Sequence, residues 1–200
     1  MRPDDPAAGP PPGRPIRRRG PEGEISVFVA DEQDAHPVDV ARWSHLAEQV
    51  LGAQGVHGDA ELSVLFVDAE VMAGLNKRFM DEEGPTDVLS FPLDDDLIEL
   101  GRWPDASTTG PDRGAVQPED APLLLGDVVI CPEVAAQNAP EHAGSYEDEV
   151  ALLVVHGVLH VLGLDHVDDT TTTAMQARER ELLTEFHGPL QRDPWGSEPP

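Results

Sequence analysis

The 200-residue chain is short of cysteine, of basic side chains and of long apolar runs, and each shortage excludes something. A single cysteine, Cys131, rules out an intrachain disulfide framework. The longest apolar stretch, Val150 to Leu164, falls short of the roughly 20 residues that a membrane-spanning helix needs. Two histidines interrupt it as well. The arginines near the start are not followed by the apolar run of a secretory signal. These shortages set the expectation of a cytoplasmic protein with no membrane partner. Lysine and arginine total 13 against 39 acidic residues, for a net charge of −26. Five of those basic residues (Arg2, Arg14, Arg17, Arg18, Arg19) fall within the first 23 positions, so the rest of the chain is more acidic still. Such a body repels a polyanion at long range, and nucleic-acid binders normally carry a basic footprint. Composition alone therefore argues against nucleic acid, although salt shortens the repulsion.

What is plentiful is proline and glycine, 20 and 18 residues, and they cluster. Residues 1–23 hold almost no large apolar side chains and cannot offset the entropy of ordering, so they read as a disordered arm, with Arg17 to Arg19 as a solvated tract. Residues 24–187 read as one domain, interrupted at 94–122 by an acidic, Pro- and Gly-rich loop. Residues 188–200 read as a flexible tail, with Trp195 as a side chain that could dock. Within the domain, Glu24 to Ala30, Glu61 to Val67, Asp87 to Phe91 and Leu123 to Cys131 have strand patterning. Helical spacing covers Val38 to Leu51, a segment from the cap Asp68 to Phe79, a short piece at Glu133 to Asn138, Tyr146 to Leu162 and Thr170 to Phe186. Ser145 with Asp148 resembles a capping box. The sum is an α/β or α+β layer with about four strands.

The chemistry lies in His156-Gly-Val-Leu-His160-Val-Leu-Gly163-Leu-Asp-His166. His156 and His160 are four apart, so on a helix they project from one face a turn apart. Gly163 suits the left-handed backbone that ends a helix, after which the chain returns His166 from another direction. Three histidines so disposed make a metal site with an open fourth position, and softness and geometry favour one zinc ion. A lone histidine in an apolar helix is more often a core residue. Two at this spacing, with a third after a helix-ending glycine, are not. The register is that of zinc proteases at every named position but one: the water-activating glutamate is replaced by Gly157, which has no proton acceptor.

These residues resemble the YbeY endoribonucleases, the bacterial rRNA maturation factors. Residues 156–166 fit that family's H-G-x-L-H-L-x-G-y-D-H, Pro85 to Pro92 (PTDVLSFP) its P-T-[DN]-V-L-S-F-P, and Leu125 to Ile130 (LGDVVI) its L-G-D-I-V-I. The resemblance runs from about Glu24 to Phe186. It implies an α+β domain with one mixed sheet and a zincin-like central helix. It also implies a zinc-dependent, single-strand-specific endoribonuclease acting on the 3′ end of small-subunit rRNA and in ribosome quality control. Single-stranded RNA, the ribosome and a protein partner that supplies affinity are then the expected partners. One position departs: where many members have an arginine thought to meet RNA, this chain has Met80, with Lys77 and Arg78 nearby on other helix faces. Asp127 and Asp87 are candidates for proton transfer or for holding a zinc histidine by its far nitrogen, with a turn or strand-end carboxylate as the plainer reading of each. Asp165 reads as a helix-end residue. A zincin-like peptidase with its base elsewhere is an alternative. So is an assembly factor whose structural zinc takes Cys131 or Asp165 as fourth ligand.

Overall fold

The structure is a computed structural model that describes residues 16–17, 25–93, 122–164 and 168–196. Most of the expected arm, nearly all of the 94–122 loop, Asp165, His166 and the last four residues lie outside the described residues. Along the chain come β1 (Ile16–Arg17), β2 (Ser26–Asp31), α1 (Val40–Ala53), β3 (Ala60–Phe66), α2 (Ala69–Met80), β4 (Val88–Pro92), β5 (Leu123–Ile130), α3 (Pro132–Asn138), α4 (Tyr146–Val161) and α5 (Asp169–Phe186). The strands form one mixed sheet in the order β1-β2-β3-β5-β4. Strands β2, β3 and β5 run parallel, and β4 and β1 are antiparallel to their neighbours. The four longer strands are those expected. The fifth, β1, pairs Ile16 and Arg17 with Val29 and Phe28, inside the stretch read as an arm.

Strand alternation divides the core between the two faces of this α+β sheet. Leu62, Val64 and Phe66 of β3 and Val128 and Ile130 of β5 join the larger cluster with α1, α4 and α5. Leu65, Val129 and Cys131 point the other way, into a smaller cluster with Met72 and Leu75 of α2. Helix α4 is central to the larger cluster: twelve of its sixteen residues are buried. An apolar helix of this kind has no stable place at a surface, because each fully buried valine or leucine contributes about 1.5–3 kcal/mol.

Two glycines shape that helix. At Gly157 a Cβ would collide with Val128 Cγ1 of β5, so the absence of a side chain lets α4 lie directly on the sheet. The Ser90 hydroxyl of β4 then donates to the Gly157 carbonyl at 3.2 Å. Gly163, at φ 82°, ends the helix: its N–H reaches His160 O at 2.9 Å while Leu164 N reaches Leu159 O at 3.0 Å. This pair of bonds is the Schellman motif, and Leu164 packs back on the core that holds Leu159. At the other end Ser145 Oγ accepts from Asp148 N at 3.1 Å, as expected of the cap, and the Asp148 carboxylate meets His187 Nε2 at 2.8 Å and Gln191 N at 3.1 Å.

Two glycine substitutions should move stability in opposite directions. Gly157→Ala should lower the unfolding free energy by about 1–3 kcal/mol through overpacking against Val128. Gly74→Ala, on an exposed turn of α2 with nothing within 4 Å, should raise it by roughly 0.5–1 kcal/mol. Urea unfolding of both variants checks the signs.

Candidate active site

His156 and His160 are half-buried on a helix that is otherwise buried beyond its first two residues. Their ring centroids are 4.5 Å apart and the planes meet at 75°. Two imidazoles at that separation can both reach one ion, given metal–nitrogen bonds of about 2.0–2.1 Å. The third expected ligand, His166, is not among the described residues. Among those that are, no three histidine, cysteine or carboxylate side chains come together to hold a metal.

Behind His156 stands a residue that sequence reasoning missed. Glu179 of α5 is 3% exposed, and its Oε1 lies 2.6 Å from His156 Nδ1. Its Oε2 accepts the indole N–H of Trp195 at 2.9 Å. The carboxylate therefore fixes the tautomer: with the proton on Nδ1, the lone pair of His156 is on Nε2, the nitrogen a metal would use. The signal was present in the sequence, since Glu179 falls in helical register between Met175 and Leu182, both core residues. A carboxylate on the apolar stripe of an amphipathic helix is expensive without a partner.

These groups open on a cleft of about 370 Å³ lined by His156, Glu179, Asp87, His142, Met175 and Trp195 among others. Asp87 lines the cleft, but its oxygens are already engaged. Oδ1 accepts from Thr86 Oγ1 at 3.1 Å and Val88 N at 2.9 Å, and Oδ2 from Asn138 Nδ2 at 3.3 Å. Asp127 is not brought to the cleft; it pairs with Ser63 and Phe91 across the sheet and shares the strand face of Val129 and Cys131. Cys131 is buried in the cluster under α2, on the opposite face from the histidines, and burial pushes its thiol up. Gly157 faces the sheet rather than the cleft, so a glutamate there would have nowhere to act. Met80 is exposed at the end of α2, Lys77 is bonded at 2.9 Å to both Asp81 and Glu83, and the Arg78 guanidinium sits over Phe79.

The stretch from Gly188 to Gly196, read as a loose tail, folds back to form the outer wall. Gln191 N donates to Asp148 Oδ2 at 3.1 Å, Arg192 N to Ala143 O at 2.9 Å, and Trp195 closes on Glu179 with Arg180 over its ring. These anchors are two backbone N–H groups and an indole N–H meeting acceptors far away in sequence, a pairing that composition cannot reveal. Burial alone would raise the Asp148 carboxyl, but the hydrogen bonds from His187, Gln191 N and Ser145 outweigh it and hold the group below its ordinary 3.8. A depressed folded value means that the bond stabilises at pH above about 4 and is lost as pH falls through the folded value. The difference in unfolding free energy between wild type and Asp148→Asn should accordingly shrink as pH falls below about 4, as urea unfolding at a series of pH values would show.

Residues 28–187 match the family profile described as endoribonuclease YbeY. Among relatives of that name, one from Acidothermus cellulolyticus is 46% identical over 161 residues, covering 80% of this chain and 90% of the relative. One from Thermobifida fusca is 43% identical, covering 84% and 99%. One from Beutenbergia cavernae is 46% identical, covering 81% and 97%. The solution structure of TM1509 from Thermotoga maritima aligns over 82% of this chain and 89% of its own, with a TM-score of 0.50 at 23% identity, a likeness of fold.

Proposed function

We propose, for a chain that belongs to the endoribonuclease YbeY family and with it is an RNA-cleaving hydrolase, that the cleft cuts single-stranded RNA with one zinc ion held by His156, His160 and His166. The observation that carries the metal reading is the His156–His160 pair backed by Glu179. Nothing in an apolar core calls for two adjacent imidazoles and a buried carboxylate, whereas a divalent ion calls for both. When bound, zinc would supply a Lewis acid for a phosphate oxygen and lower the pKa of water toward ~7.

The remaining work falls to the chain. Glu179 holds the Nδ1 proton of His156 and keeps the ring from turning, and Trp195 spreads over that carboxylate and keeps water from it. Asp87 braces the start of β4 against α3 at the cleft edge. The acidic surface gives little long-range attraction for RNA, so the ribosome or a bound protein supplies part of the affinity, and the substrate is the 3′ end of small-subunit rRNA in the cytoplasm. Among the described residues no helix is long and apolar enough to cross a membrane.

The decisive experiment follows cleavage of a single-stranded RNA carrying the small-subunit 3′ end, with zinc measured on the same samples. Wild type should carry one zinc per chain and cut. His156→Ala and His160→Ala should lose the metal and the cutting together, and equal cutting by all three would sink the proposal. Glu179→Gln should bind zinc about 10–100-fold more weakly, measured by competition with a chelator.

A further inference from the structure

The first turn of α4 carries another buried glutamate. Glu149 is fully buried, and both of its oxygens lie against Nδ1 of His142, at 2.9 and 3.0 Å. Its Oε2 also accepts the N–H of Ala143 at 3.1 Å. The His142 side chain is 45% exposed and lines the same cleft as His156 and Asp87. The turn that carries it is tied down by the tail, through Arg192 N to Ala143 O at 2.9 Å and Arg192 Nη1 to Pro140 O at 3.2 Å. The cleft therefore holds two histidines, each oriented from behind by its own buried glutamate. One is explained by metal binding. The other is outside the expected ligand set and unaccounted for.

An imidazole with Nδ1–H given to a carboxylate keeps its lone pair on Nε2, the edge away from Glu149. That is the arrangement of a general base held in one tautomer by a third group. Asp87, the other acceptor at the cleft, already binds three donors. We propose that His142, oriented by Glu149, is the base that takes a proton from the water attacking the RNA phosphodiester. As Nε2 accepts that proton, the water oxygen forms its bond to phosphorus and the bond from phosphorus to the leaving ribose oxygen breaks. The ribose oxygen takes a proton from solvent, and His142 then releases its own to solvent. Glu149 is a positioning residue in this scheme.

This inference rests on the RNA-cleaving reading, and the test separates the two. The titratable and charged groups around His142 are Glu149 and His156 of α4, Asp87 before β4, Glu179 of α5, Glu141 beside it and Arg192 of the tail. His142→Asn puts an amide N–H where Nδ1–H was, so the buried Glu149 keeps a donor and the chain keeps its fold. His142→Gln is the second variant. Zinc content, KM, kcat and the kcat–pH profile are read on single-stranded RNA. Both variants should keep zinc and KM while kcat falls about 100-fold or more, in the range of general base catalysis. The acidic limb of the profile should lose one ionisation. Variants with kcat near wild type, a loss confined to KM, or an unchanged pH profile would each overturn the assignment. A zinc-loaded wild type that cuts no RNA overturns the underlying reading and this assignment with it.

Discussion

The close contact between α4 and the sheet at Gly157 is the constraint on which the rest of the molecule depends. A helix buried on nearly every side has no freedom to rotate, so its polar residues emerge only where the core leaves a gap. With Gly157 pressed on Val128 and bonded to Ser90, His156 is turned to the cleft and His160 is held beside it, ring to ring. The Schellman motif at Gly163 then stops the helix one turn past His160. Position, direction and length are set by packing, before any ligand is considered.

On the open side of the helix the design is polar. Two carboxylates that would be costly alone are each satisfied by a histidine and an N–H: Glu179 by His156 and the Trp195 indole, Glu149 by His142 and the Ala143 amide. Among the described residues no buried side-chain polar atom is left without a partner. The tail joins both networks, meeting Glu179 through Trp195 and the His142 turn through Arg192. The cleft wall and the orientation of its histidines are thus parts of one hydrogen-bonded structure, in which the members support one another.

Much of this was legible in the residues because it is local. Period-2 and helical spacing located the four longer strands and five helices, and the i, i+4 histidines followed by a glycine gave the paired rings and the helix end. What was missed depends on contacts between distant segments. Glu179 sits on the apolar stripe of α5, but the partner that makes it a site residue, His156, appears only when α5 is laid against α4. The stretch after Gly188 reads as loose because its anchors are backbone amides reaching Asp148 and Ala143. Asp127, a candidate for proton transfer from its place in the Leu125 to Ile130 motif, lies by strand alternation on the face that Val129 and Cys131 share under α2.

Gly157 also bears on which enzymes this chain can become. In the zinc-protease pattern the same position carries the glutamate that activates water, and glycine and glutamate have neighbouring codons. Mutation could make that exchange easily, yet here the new side chain would be driven into Val128. The helix would have to lift from the sheet and carry its histidines away with it. Two hydrolytic chemistries that look adjacent when sequences are compared are therefore separated by a packing barrier, and drift from one to the other would require rebuilding the core first.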